Sequence, residues 1–388
     1  MKQTHHKKII ISHFVGLSGI GGVQSNFVEY MKNVELHNSR YQHRVYTVGS
    51  VDPHYQITNN VLDIRKISNL YKLILDIVSK NTIVHFYNNL SSFKVALLLV
   101  FLPVRKFIVH ERGTIWNQKS SKWLVPRFIA WKADIVLSNS YATKTMLVKK
   151  FSIPSKKIRV LHNGINTLMD HNCGGNYKKN KTIFHIGFIG RLDSHKGVHL
   201  LIEAMHFLKN ENIKLIIAGE GVLESALKKS ASKLSNVEFI GRVNSPYLFL
   251  DKIDLLVVPS IREPLGNVCL EAGMCRTPVL AANVDGIPEI IEHGVTGELI
   301  DATDEILVNL SKGALPLPEF VVNPTNQQLC TPKQINSSLL AKRILELSSK
   351  PEQLSQYADR LYKKVTNHFN IHRYRTELHN VYQELFTS

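Results

Sequence analysis

The stretch "IFHIGFIGRLDSHKGVHLLIEAM", Ile183 to Met205, passes through three kinds of chain in quick succession. It opens as a β-branched apolar run without polar alternation, the pattern of a strand buried on both faces of a parallel sheet. It closes with apolar residues at helical spacing. Between the two lie Gly190, Arg191, Lys196 and Gly197. A forked guanidinium and a point-charge ammonium between a strand end and a helix start suit a diphosphate. The same loop also reads as a solvated basic turn.

The strand–loop–helix rhythm extends in both directions. Upstream, strands are expected at "KKIIISHF" (7–14), "HRVYTVG" (43–49), "IVHFYN" (83–88), "KFIVHERG" (106–113), "DIVLSNS" (134–140) and "IRVLHNG" (158–164), with helical stretches between them. The rhythm stops over "NTLMDHNCGGNYKKNKT" (166–182), a polar, lysine-rich linker. It restarts with "IKLIIAGEG", "VEFIGR", "DLLVVPS", "TPVLAAN" and "TGELID". Two successive α/β units are therefore expected, each Rossmann-like, facing an interdomain cleft. Ligand-binding residues belong just beyond the strand ends. Residues 311–338, with four prolines, read as an irregular excursion, and the tail from Leu339 is helical.

The charge is unevenly placed. The chain of 388 residues carries +17, with 48 Lys+Arg against 31 Asp+Glu. Residues 1–165 hold 24 of those bases and 7 acids, so 24 and 24 remain for the rest. A one-sided basic unit predicts an anionic partner, namely nucleic acid, an acidic membrane surface or a phosphorylated ligand, unless it reflects a generally basic background. The longest apolar run, "VALLLVFLPV" (95–104), is too short to span a bilayer and reads as a buried helix. The N-terminus lacks the look of a signal peptide. Cys173, Cys269, Cys275 and Cys330 show no CxxC spacing and are expected to be free thiols in a cytoplasmic protein.

Further chemistry follows other strands. "VGLSGIGGVQ" puts Gly19, Gly21 and Gly22 ahead of a helix start, where the backbone can approach an anion or simply turn tightly. In "SIREPLGNVCLEAGMCRTPVL" (260–280), Glu263 lies on a loop, Pro264–Gly266 form the bend, and Asn267 and Val268 begin a helix containing Glu271. One carboxylate beside a sugar and another accepting two hydroxyl hydrogen bonds would bracket a nucleotide-sugar.

An ordered set of motifs runs along nearly the whole chain: "GGVQ", "HNGI", "GRLDSHKG", "IAGEG", "FIGRV", "VVPSIREPLGNVCLEA" and "DGIPEIIEHGVTGELI". With Glu263 and Glu271 separated by seven residues, it resembles the family 4 retaining glycosyltransferases of the GT-B fold, the group 1 enzymes of bacterial surface polysaccharide assembly. The resemblance implies an acceptor-binding N-terminal domain (1–166), a linker (167–182), a nucleotide-sugar-binding domain (183–365) and a last helix (366–388) crossing back to the first domain. It implies transfer of a sugar, a hexose above all, from a UDP- or GDP-sugar to a saccharide or lipid-linked acceptor, with retention and without metal or other cofactor. Arg191 and Lys196 would hold the diphosphate, Glu271 the ribose hydroxyls, and Glu263 the C3 and C4 hydroxyls of the sugar. Amides of Leu265, Gly266, Asn267 and Val268 would assist, and Arg242, Val243 and the Gly219–Gly221 turn would approach the base. Gly21 and Gly22 would approach the donor phosphate. His110 in "VHERGT" would lie near the C6 hydroxyl, while Glu111 and Arg112 read as acceptor contacts or an ion pair. Asn163 is expected to shape the hinge between the domains. Arg276 stands where the family commonly has glycine, a departure expected to change packing.

The basic first unit also fits a peripheral contact with an anionic membrane at the inner face of the cytoplasmic membrane. "KFIVHERG", "NQKSSKWLVPRFIAWKA" and "TMLVKKF" mix cations with aromatic and aliphatic residues, as interfacial surfaces and ordinary packed helices both do. The rival readings are a sugar-nucleotide epimerase or phosphorylase-like enzyme of the same fold, and a nucleic-acid-binding protein. The glutamate pair with the Arg/Lys loop opposes the first. The absence of a known module opposes the second, so no nucleic acid is expected.

Overall fold

The computed structural model describes residues 9–19, 21–36, 41–55, 57, 60–167, 182–306 and 314–387. The chain divides into two compact units, Met1–Asn166 with Asn370–Ser388, and Thr167–Phe369. Most of the expected linker, with Cys173, lies outside the described residues.

The first unit runs β1 (Ile9–Phe14), α1 (Gly22–Leu36), β2 (Tyr41–Thr47), β3 (Val61–Asp63), α2 (Ile67–Val78), β4 (Thr82–Tyr87), α3 (Phe93–Phe101), β5 (Phe107–Glu111), α4 (Leu124–Lys132), β6 (Ile135–Ser138), α5 (Tyr141–Phe151) and β7 (Ile158–Val160). Its seven strands lie in the order β3-β2-β1-β4-β5-β6-β7, all pairs parallel. All six residues of β4, "TIVHFY", are buried, as a central strand covered on both faces requires. The step from β1 to β2 moves one way across the sheet, whereas those from β3 through β7 move the other way. Right-handed crossovers therefore put α1 on one face and α2 to α5 on the opposite face.

The second unit repeats the plan. It runs β8 (Phe184–Ile189), α6 (Val198–Phe207), β9 (Ile213–Ala218), α7 (Glu224–Ser230), β10 (Val237–Gly241), α8 (Pro246–Leu250), β11 (Leu255–Val258), α9 (Asn267–Met274), β12 (Val279–Asn283), α10 (Ile287–Ile290) and β13 (Glu298–Asp304). After these come β14 (Val321–Val322), β15 (Leu329–Cys330), β16 (Gln334–Ile335), α11 (Ser337–Ser348) and α12 (Pro351–His368). The sheet order is β10-β9-β8-β11-β12-β13-β16, with only the β16 edge antiparallel.

The final helix, α13 (Ile371–Thr387), belongs to the first unit, where its Ile371, Tyr374, Leu378 and Tyr382 join the core under α1. The approach is close at Gly164, where a Cβ would lie 2.7 Å from the Cβ of Tyr374. The expected boundary between residues 365 and 366 falls inside α12, and the chain leaves the second unit after Phe369.

Three expectations need correction. The described part of the proline-rich excursion is not structureless: β14 and β15 form an antiparallel hairpin and β16 closes the sheet edge. The three-residue β3 was not foreseen. The apolar run at 95–104 is only half buried, because Val95, Ala96 and Leu99 face the sheet while Leu97, Val100 and Phe101 are exposed.

Candidate active site

In the second unit the loops after β8, β9, β10, β11 and β12 gather at the C-terminal edge of the sheet. The first carries Asp193, whose Oδ1 accepts from the amides of Ser194 (2.8 Å) and Leu315 (3.1 Å), fixing the turn before Lys196. Gly197 has φ 68°, and a Cβ there would lie 1.9 Å from the carbonyl oxygen of Pro259, so the loops after β8 and β11 touch through a glycine. Gly219 is as constrained: its amide donates to Gly241 O at 2.7 Å, and a Cβ would lie 1.8 Å from Gly190 O. Three expected base- and phosphate-binding loops are thus locked together backbone to backbone.

Lys196 and Glu263 meet directly, Nζ to Oε2 at 2.6 Å. Ser260 Oγ lies 3.4 Å from the same oxygen. Glu263 is fixed through its backbone as well: its amide donates to Asp285 Oδ2 (2.9 Å) and its carbonyl accepts from Gly286 N (3.1 Å). Asp285 Oδ1 in turn accepts from Val322 N at 2.7 Å, tying the β14 hairpin to the site. The helix α9 starts at Asn267 with Gly266 as its N-cap, so its first-turn amides open at the loop that carries Glu263.

Glu271, one turn into α9, is half-buried, and desolvation pushes its carboxyl up to about 7 despite the nearby Lys196 charge. Arg191 and Arg242 are exposed and make no ion pair among the described residues, while Val243 is half-buried and Leu265 buried. His195 is buried, and burial with Lys196, Arg262 and Arg191 around it lowers its ring to about 2, so it stays neutral. Burial likewise lowers the Arg262 guanidinium, partly offset by Glu263 and Asp285.

In the first unit, Gly21 N donates to Tyr55 Oη at 3.2 Å, holding the glycine loop at the start of α1. Glu111 and Arg112 are neither an ion pair nor exposed. Glu111 accepts from Gly113 N (2.9 Å), Ile115 N (3.1 Å) and Thr114 Oγ1 (2.9 Å), fixing the turn after β5. Arg112 donates to the side-chain oxygens of Asn26 and Asn163, so Asn163 joins the β7 end to α1 within this unit.

His110 lies in β5, next to Glu111. Its ring is fully buried 5.6 Å from that of His85, and neither nitrogen has a hydrogen-bond partner among the described residues. Burial and then the Arg112 charge lower its pKa well below the usual value. The strand alternation that turns Glu111 toward its loop turns His110 into the core beneath α13. Asp193, Ser260 and Asp285 were missed, although the aspartates stand in the quoted "GRLDSHKG" and "DGIPEII" motifs directly after strands.

The family description "Glycosyl transferases group 1" matches residues 175–315, and "Glycosyltransferase Family 4" matches residues 31–167. An uncharacterized glycosyltransferase of Methanocaldococcus jannaschii is 30% identical over 294 residues, covering 65% of this chain and 75% of that protein. The chain belongs to the group 1, family 4 glycosyltransferases. This glycosyltransferase is also 32% identical over 199 residues to the N-acetylgalactosamine-N,N'-diacetylbacillosaminyl-diphospho-undecaprenol 4-alpha-N-acetylgalactosaminyltransferase of Campylobacter jejuni, over 49% of this chain and 52% of that one. Its fold matches the crystal structure of HepE from Anabaena in complex with UDP and glucose, with TM-score 0.72, 18% identity, and coverage of 96% and 99%. The glycosyltransferase thus has the two-domain, Rossmann-like GT-B fold.

Among the described residues of the glycosyltransferase, Cys269, Cys275 and Cys330 form no disulfide. No described helix is long and apolar enough to cross a membrane.

Proposed function

We propose that this glycosyltransferase transfers a hexose from a UDP- or GDP-sugar, with retention of anomeric configuration, to a saccharide or lipid-linked acceptor in surface polysaccharide assembly. The observation that carries the donor reading is the Lys196–Glu263 contact at 2.6 Å beside the α9 start, with Glu271 one turn further on. Lys196 and exposed Arg191 supply positive charge for a diphosphate, and the α9 amides add donors. A donor phosphate that shares Lys196 releases part of the Glu263 carboxylate to accept sugar hydroxyls. Glu271 accepts the ribose hydroxyls. The UDP and glucose bound to the HepE structure and the diphospho-undecaprenol substrate of the Campylobacter enzyme support the donor and acceptor classes.

In the proposed step the bond from the sugar C1 to the diphosphate oxygen breaks while the acceptor oxygen bonds C1 from the same face. The acceptor proton passes to the departing phosphate oxygen, and the nucleoside diphosphate leaves. Glu263, already engaged by Lys196 and Ser260, orients the sugar in this scheme and forms no covalent adduct. Arg191, Lys196 and the helix amides neutralise the leaving group, so turnover is expected to persist in EDTA.

The test is a thermal-shift screen of nucleotide-sugars on the wild type and Glu271→Ala. One UDP- or GDP-sugar should raise the wild-type melting temperature and leave the variant unmoved. If no nucleotide-sugar shifts the wild type, the donor reading fails. A covalent sugar adduct on Glu263, detected by mass spectrometry, would overturn the same-face step.

A further inference from the structure

The outer surface of α3 and α4 in the first unit combines two properties that rarely coexist on a solvated face. The helices pack against each other on the face of the sheet opposite α1. On α3, Phe93, Leu97, Val100 and Phe101 are exposed, Phe101 by 75%. On α4, Leu124 is 64% exposed and Trp131 66%, with Trp123 just ahead of the helix. Scattered exposed apolar residues need no explanation, but seven of them on or beside two helices that pack together do.

Charge says what covers it. Between Phe93 and Lys132 there are eight Lys/Arg and a single acid, Glu111, which is buried. Arg127 lies 5.4 Å from the Trp123 ring centroid, and Lys132 lies 5.2 Å from that of Trp131. The cations are thus interleaved with the aromatic rings, and long basic side chains can lie along apolar surface with their charges outward. A second copy on this face would set like charges together across an apolar contact. A nucleic-acid backbone would answer the cations and leave Leu97, Val100 and Leu124 facing phosphate. An anionic bilayer answers both, taking the rings and aliphatic chains below its headgroups and the cations at their level.

We propose that the α3–α4 face is the seat of this glycosyltransferase on a bilayer rich in anionic lipid. The face is narrower than the sequence suggested. The residues of "KFIVHERG" from Phe107 on lie in or next to the buried strand β5, and Met146, Leu147 and Phe151 of "TMLVKKF" are buried, so neither stretch contributes its apolar side chains. Helix α3 does, although the run at 95–104 reads from sequence as a buried helix. The surface is independent of the donor site and can be tested without a donor.

The test is cosedimentation of the full chain with phosphatidylcholine vesicles, with and without phosphatidylglycerol. Binding is expected to need phosphatidylglycerol and to weaken in high salt. Lys94→Gln, Arg127→Gln and Lys132→Gln are each expected to lower partitioning about fivefold. Leu97→Glu with Phe101→Glu should abolish it while the far-ultraviolet circular dichroism and the melting temperature without ligand stay close to the wild-type values, which shows that the variant folds. The proposal is overturned if the wild type ignores phosphatidylglycerol vesicles, or if the folded double variant still binds them. It is equally overturned if ultracentrifugation shows a wild-type dimer that the double variant dissolves, since a second copy would then cover the face.

Discussion

Two glutamates eight positions apart behave differently because their surroundings differ. Glu263 is buried against a lysine ammonium, whereas Glu271 has no ion-pair partner among the described residues and its carboxyl rises to about 7. A carboxylate accepts two hydroxyl hydrogen bonds, and its protonated form accepts them poorly. Affinity for UDP or GDP, whichever binds, should therefore rise from pH 6 to 8 in calorimetry. Glu271→Gln should bind roughly 10- to 100-fold more weakly at pH 8 and lose most of that dependence. The stability effect has the opposite sign. The folded state holds this proton more tightly than the unfolded state, so the group's contribution falls as pH rises from its ordinary value of 4.5 through about 7. Glu271→Gln should consequently melt higher than the wild type at pH 8 without ligand, and a lower melting point would refute the desolvation account. Spacing after strand ends made Arg191, Lys196, Glu263 and Glu271 legible from sequence. Asp285 was not, because it acts by accepting an amide 22 residues away, a contact that no local pattern encodes.

Elements were legible where periodicity had room to show. Parallel strands of five or six apolar residues announce themselves, but the two-residue strands β14 and β15 carry no period. The run containing α3 misled for a different reason: apolarity alone cannot separate a helix buried all round from one that lends half its surface to something else. The end of α9 shows a local rule broken and compensated. Arg276 adopts φ 51°, a left-handed conformation that favours glycine, and it pairs with Asp359 and lies 3.9 Å from the Tyr362 ring centroid, both on α12. A glycine here would relieve the strain and forfeit the contacts. Arg276→Ala keeps the strain and loses the contacts, so it should be destabilised by about 1 kcal/mol. Arg276→Gly should stay within about 1 kcal/mol of wild type and above the alanine variant in chemical denaturation. Because neither variant keeps the α12 contacts, the reverse order would show that the left-handed backbone at this position carries no strain that glycine relieves.

At the scale of the molecule the first unit carries a second asymmetry beside its charge. His13, His43, His85 and His110 are packed among Tyr30, Tyr87, Tyr374 and Tyr382, with His13 Nε2 2.9 Å from His43 Nδ1 and the Tyr382 hydroxyl 2.8 Å from His85 Nδ1. Burial, reinforced in each case by a neighbouring histidine or by Arg112, lowers all four, His43 to about 3. In acid such groups hold fewer protons folded than unfolded. Their contribution is therefore complete above an unfolded pKa of about 6.5 and is lost as pH falls below it, by about 1.4 kcal/mol per pH unit for each ring that stays neutral. In the second unit only His195 and His199 are lowered among the described residues, so the first unit should lose stability faster. In hydrogen exchange corrected for intrinsic rates, amides of β1, β4 and β5 should lose more protection between pH 7.5 and 5 than those of β8 and β9. His110 isolates one term, because neither nitrogen has a described partner to lose. His110→Phe should leave the molecule as stable as wild type or more so at pH 7.5 and should flatten its acid slope by about 1.4 kcal/mol per pH unit. Turnover by the same variant then decides the imidazole's function. Retained turnover makes His110 a packing residue, while turnover lost from a stable protein means that the ring reaches the sugar during the reaction.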